Sequence, residues 1–338
     1  MYKIFKILIA VIAAVFILGV AYSVLIKKSD QTTDSRDRVM NFTERQKGVS
    51  LSPKSFETKD FTDFFAKAKE AGDIISWAGD WQELSREDGA PEVVAALARQ
   101  YKYTPVIQIQ FFSAKTGKLL RPLNSENKNK YRQSAVSFVK KFQPEYFGLG
   151  TEVNLLFEKS PRDFDTFADF FSEVSDEIKS VSPRTKVFTV FQLEKMKGLG
   201  GGLFGGKNDT TKNEWRLLEK FSKADLIAFT TYPGLIYKNP SDIPPDYFLD
   251  IKNQTAKPIA FTEIGWSSGS DILGFESSES QQAEFIKLFF EKTKELASEL
   301  MIWSFLYDQS TDHPFNTMGL FSKEGREKLA WREWRSNE

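Results

Sequence analysis

Two glutamates close apolar segments of this chain: Glu152 in YFGLGTEVN (146–154) and Glu263 in PIAFTEIGW (258–266). A carboxylate at the end of a buried strand is expensive unless a partner or a reaction accounts for it. Glycoside hydrolysis is a reaction that needs such a pair. One carboxyl protonates the leaving oxygen, and the other attacks the anomeric carbon or activates water. Either glutamate alone reads equally well as a structural carboxylate paired with lysine or arginine. Together, at matching strand ends, they are the candidate catalytic residues.

Composition removes several competing chemistries. The 338 residues contain no cysteine and one histidine, His313. Thiolate nucleophiles and zinc–thiolate sites are excluded, and a Ser-His-Asp triad or a multi-histidine metal site nearly so. An enzyme of this composition would work with carboxylates, lysine or tyrosine, and no cofactor is implied. Lysine plus arginine equals aspartate plus glutamate, 46 each, so no net charge favours nucleic acid. Aromatic residues make up 14% of the chain, which suits a large core or a site that stacks flat ligands.

The elements that must position the pair follow from the pattern. Eight short apolar segments, rich in Val, Ile, Phe and Thr, recur from GVSLS (48–52) to MIWSFLYD (301–308). Amphipathic stretches lie between them, among them SPRDFDTFADFFSEVSDEIKSVSP, where Ser160 and Pro161 read as N-cap and first helical residue. Strand–helix alternation repeated eight times argues an α/β fold, a closed (β/α)8 TIM barrel, with a doubly wound open sheet as the rival. In such a barrel the site lies at the C-terminal strand ends. There the sequence places Trp77 and Asp80, Gln108 and Gln110, Glu152 and Asn154, Gln192 and Glu194, Tyr232, Glu263 and Trp266, and Trp303. Carboxylates, amides and indoles on one face suit a sugar, the polar groups for hydroxyls and the rings for apolar pyranose faces. Trp303, Trp266, Trp77, Asp80, Asn154 and Gln192 are the candidate substrate-binding residues. Each of the tryptophans also reads as ordinary packing, since tryptophan is often a large half-buried residue.

The N-terminus has its own organisation. Lys3 and Lys6 precede an apolar run over residues 7–26, closed by Lys27 and Lys28. That length spans a bilayer and favours an uncleaved anchor over a cleaved signal peptide, with the body of the chain outside the cytoplasm. The expected division is 1–28 anchor or signal, 29–46 polar linker, and 47–338 barrel. Residues 198–207, GLGGGLFGGK, resemble a dinucleotide pattern and nearly a phosphate loop. Asn208 stands where the latter needs Ser or Thr, and no strand–turn–helix frames either motif. A loop over the site after the fifth strand is the better reading.

GLGTEVN and FTEIGW together resemble the clan A glycoside hydrolases, whose glutamates end strands four and seven. The resemblance covers most of residues 47–335. It implies that Glu152 is the acid/base and Glu263 the nucleophile. TTYPG resembles the clan's tyrosine beside the nucleophile, here Tyr232, and IWSFLYD its strand-eight tryptophan, here Trp303. The GTE and TEIG pieces are similar to family 113 β-mannanases; YP and TEIGW are similar to the family 53 endo-galactanases and family 17 β-1,3-glucanases. Most of the clan has Asn before the acid/base, where this chain has Thr151, and no arginine stands at the end of strand two. The resemblance implies a retaining hydrolase of a β-linked polysaccharide or oligosaccharide. The rival reading is a catalytically silent barrel that binds cell-surface polysaccharide.

Overall fold

A computed structural model describes residues 45–337. The expected anchor and most of the linker lie outside the described residues; among these, no helix is long and apolar enough to cross a membrane. The barrel strands are β1 (Gln46–Ser50), β2 (Ile74–Asp80), β3 (Thr104–Gln110), β4 (Tyr146–Gly148), β5 (Lys186–Gln192), β6 (Leu226–Thr231), β7 (Ile259–Ile264) and β8 (Ser298–Trp303). All pairs are parallel, and β8 returns to β1 to close the barrel, so the open-sheet alternative does not hold. The helices between them are α1 (Thr58–Ala68), α2 (Ala90–Tyr101), α3 (Ser125–Phe142), α4 (Val153–Lys159), α5 (Pro161–Val181), α6 (Leu193–Met196), α7 (Glu279–Thr293) and α8 (Leu329–Ser336). After β6 the crossover is made of 3-10 turns, including Leu249–Asn253. A small parallel pair, β9 (Phe305–Tyr307) and β10 (Gly319–Phe321), follows β8.

Strand alternation divides the apolar residues into two layers. Val106, Phe188, Val190, Ala228, Leu300 and Ile302 fill the barrel interior. Their sequence neighbours Ile107, Val187, Phe191, Phe229 and Met301 point outward against the helices. Most of the phenylalanine is spent in that outer layer: Phe164, Phe167 and Phe171 of α5 meet Phe221 edge-on or tilted at 5.1–6.2 Å. Ser160 does precede α5, but its hydroxyl donates to the Asp163 carboxylate at 2.7 Å instead of capping a backbone N–H.

One irregularity decides the site. On β7, Ala260 faces inward and Phe261 outward. Strict alternation would then send Glu263 outward. The β6 register runs Phe229 to Phe261 and then Thr230 to Glu263, and the β8 register slips over the same stretch. Thr262 is the extra residue of a bulge, which restores Glu263 to the interior face beside Thr230.

Candidate active site

Glu152 follows β4 through the tripeptide Leu149-Gly150-Thr151 and caps α4 in the left-handed region, φ 55° and ψ 40°. A Cβ on Gly150 would sit 2.8 Å from the ring of Phe167 and from Val153, so only glycine lets the strand turn there against α5. Left-handed Lys102 and Gln143 sit at helix C-caps, where that conformation is common. Glu152 is at the start of a helix, where it costs about 1–3 kcal/mol and is held by its surroundings.

The tripeptide Thr230-Thr231-Tyr232 at the end of β6 organises the site. Each hydroxyl meets a different glutamate. Thr230 donates to Glu152 at 2.7 Å, Thr231 donates to Glu194 at 2.9 Å, and the Tyr232 phenol donates to Glu263. Because Thr230 is also paired in register with Glu263, both candidate catalytic carboxylates stand beside one threonine. Ser304 Oγ lies 3.1 Å from the Tyr232 phenol oxygen and 3.0 Å from the Ile264 carbonyl, able to donate to either. Gly265 admits the Tyr232 ring: a Cβ there would meet the ring at 2.8 Å.

Glu152 and Glu263 are partly open to solvent, whereas Glu194 has no exposed surface. Burial and the neighbouring Glu263 anion push the Glu152 carboxyl up to about 7, against the hydrogen bond from Thr230. Burial also raises Glu263, and the Tyr232 hydrogen bond pulls it back. Burial and the same anion hold the Tyr232 phenol well above its ordinary range, so it stays a donor. The arrangement sets a carboxyl of raised pKa, Glu152, beside a second carboxyl held by the Tyr232 phenol, which is the equipment of acid-assisted displacement.

The structure brings Glu152, Glu263 and Tyr232 together. It gives most of the expected sugar contacts other work. Trp303 has no exposed surface: it points outward, donates to the Met318 carbonyl at 2.7 Å and packs on Phe285 and Trp334. Alternation explains this, since Leu300 and Ile302 face in while Met301 and Trp303 face out. Trp77 likewise belongs to the outer layer. Trp266 stacks on Phe285 and donates to Ser277, with one edge lining a small cleft beside Gly234 and Tyr237. Asn154 is buried and clasps the Gln192 backbone, donating to its carbonyl at 3.0 Å and accepting from its N–H at 2.8 Å. The Gln192 side chain accepts from Lys195 N–H and donates to Glu194, so both amides already have partners within the protein. Asp80 holds Arg121 through two bonds of 2.9 and 2.8 Å, and that guanidinium lies over Trp81. Arg121 comes from the loop after β3 and is engaged there by Asp80 and Trp81.

Thr230 and Ser304 complete the cluster without having been singled out from the sequence, and Glu194, expected at the end of strand five but given no role, joins them. The signal for Ser304 was the alternation along LMIWS, and for Thr230 its place two residues before Tyr232. The glycine-rich loop folds back on itself through Asn208, which accepts from Gly201 N–H at 2.8 Å. It lays Leu203 and Phe204 against Tyr232, Leu235 and Met318, with Phe305 and Phe315 on the same partly exposed wall.

The same barrel recurs among solved structures. An exo-β-1,4-mannosidase from Opitutaceae bacterium strain TAV5 superposes with a TM-score of 0.64 at 13% identity, over 86% of this chain and 58% of its own. A family 39 glycoside hydrolase from Bacteroides cellulosilyticus WH2 gives 0.60 at 17%, over 86% and 62%. The glycoside hydrolase family 53 catalytic domain of Ignisphaera aggregans gives 0.59 at 17%, over 86% and 95%. The shared feature is the fold: a (β/α)8 barrel like that of these glycoside hydrolases. This chain spans about three fifths of the first two of those proteins. No protein-family model and no curated protein sequence matches it.

Proposed function

We propose that this barrel is a retaining glycoside hydrolase acting on a β-linked polysaccharide or oligosaccharide. The observation that carries the reading is the pair itself: Glu152 and Glu263 stand beside one threonine, Thr230, and the Tyr232 phenol donates to Glu263. β-1,4-mannosidase and β-1,4-galactanase among the structural neighbours favour a β-linked substrate. In the first step a Glu263 oxygen bonds the anomeric carbon as the glycosidic bond breaks. Glu152 gives its proton to the departing oxygen. Water then attacks the same carbon, gives its proton to Glu152 and displaces Glu263, restoring both groups with net retention. Tyr232 steadies the Glu263 oxygen it contacts until that charge is consumed, and the phenol never loses its proton. The N-terminal apolar run, residues 7–26, would hold the barrel to a membrane from the extracytoplasmic side.

The test uses the domain from about residue 45 on β-mannan, β-galactan, β-1,3-glucan and β-1,4-glucan, beside Glu152→Ala and Glu263→Ala. New reducing ends from the parent alone, first appearing as the retained anomer by proton NMR, are the expected result. Parent activity should fall above about pH 7, as Glu152 loses its proton. An inverted first product would remove the nucleophile role from Glu263. Binding without turnover, unchanged in Glu263→Ala, would make the barrel a polysaccharide-binding module.

A further inference from the structure

Glu194 takes no part in the displacement, yet it is the most enclosed carboxylate of the cluster. It follows β5 as the second residue of the short helix α6 and has no exposed surface. It accepts hydrogen bonds from Thr231 Oγ1 at 2.9 Å, the Tyr232 backbone N–H at 3.1 Å, the Tyr247 phenol at 2.8 Å and Gln192 Nε2 at 2.5 Å. All four donors are neutral. A buried carboxylate is tolerated when its lone pairs are filled, but an apolar side chain would serve packing as well. Its grip therefore points to a task, and the geometry shows which.

Along β6, Thr230 and Tyr232 reach the two candidate catalytic carboxylates from one face, and Thr231 reaches Glu194 from the other. Glu194 holds two consecutive residues, Thr231 by its hydroxyl and Tyr232 by its peptide N–H. The strand has ended there, so no ladder hydrogen bond fixes Tyr232 from that side. We infer that Glu194 is a positioning residue, whose carboxylate clamps the end of β6 and thereby sets the Tyr232–Glu263 hydrogen bond. This rests on the reading of Glu263 as nucleophile. Tyr247, brought in by the loop between β6 and β7, is the outer arm of the same clamp.

Glu194→Gln tests it. The amide matches the carboxylate in shape but turns one acceptor oxygen into a donor facing donors. The expected result is a kcat about 10- to 100-fold lower with KM within about 2-fold, in a protein still folded at the assay temperature by circular dichroism. A double-mutant cycle separates positioning from general support. If Glu194 acts through Tyr232, Glu194→Gln costs little more once Tyr232→Phe has removed the phenol. Losses that multiply independently, or an unchanged kcat in Glu194→Gln, overturn the inference. Should Glu194→Gln fail to fold, Tyr247→Phe keeps the anion and removes one arm. It is expected to lower kcat about 2- to 5-fold, again without effect in the Tyr232→Phe background, and independent losses reject the clamp. Should the parent turn over none of the four polysaccharides, the glycosidase reading fails separately. A crystal structure of Glu194→Gln, or of Tyr247→Phe in its place, then decides: an undisturbed Tyr232–Glu263 contact rejects the clamp, and a broken one upholds it.

Discussion

Gly265 shows how little slack the site has at the scale of single residues. Its missing side chain leaves space that the Tyr232 ring and the Met318 sulfur fill; a Cβ would approach each to 2.8 Å. The thioether can swing aside, but the ring is tethered through its phenol to Glu263. Gly265→Ala should therefore displace Tyr232. We expect kcat to fall by up to roughly 100-fold with little change in KM, and stability to fall by about 1–3 kcal/mol. Steady-state kinetics beside a thermal melt would check this, and wild-type kcat would mean that the ring moves without consequence. The place of Glu263 at a strand end was legible in FTEIGW, whereas the need for glycine at 265 shows only in the packing. Glu152 was legible for the same reason: a charge after an apolar strand demands an explanation. Trp303 was misread because residue type outweighed parity. Counting by twos along LMIWS sends the indole outward and Ser304 inward, towards Tyr232.

At the scale of elements, the sequence was clear about strands and silent about two devices that aim them. No local pattern distinguishes Thr262 as an extra residue, because AFTEI reads as unbroken strand and only pairing with β6 and β8 exposes the slip. The left-handed turn at Glu152 is equally hidden. It is stabilised from a distance by the Asn154 clasp on the end of β5. Sequence reading made Asn154 a sugar ligand, and the two roles give opposite kinetic signatures. As a clasp, Asn154→Ala strands a buried carbonyl and N–H of Gln192. It should cost about 1–3 kcal/mol of stability and lower kcat through Glu152, leaving KM nearly unchanged. As a ligand it would raise KM and leave the melting temperature alone. Denaturation and kinetics on this one variant therefore choose between them.

At the scale of the whole molecule, the cluster sets activity against stability. Folding raises the pKa of Glu152, Glu194 and Glu263, in each case mainly by burial. Between the ordinary carboxylate pKa and the raised ones, the folded barrel binds more protons than the unfolded chain. These groups therefore make it less stable as pH rises through that window. For Glu152 the window runs from the ordinary 4.5 to about 7. Glu152→Gln keeps an acceptor for Thr230 and removes the charge. Below pH 4 it should match the parent in stability. Above pH 7 it should exceed it by on the order of 1–3 kcal/mol, while losing turnover. Urea denaturation of both proteins at pH 4 and pH 8 measures the difference directly. An equal gap at the two pH values would mean that Glu152 ionises in the folded barrel as easily as in the unfolded chain. The raised acid on which the proposed chemistry depends would then be absent. A gap that opens only at high pH would instead make the stability loss and the proton donor two consequences of one buried carboxyl.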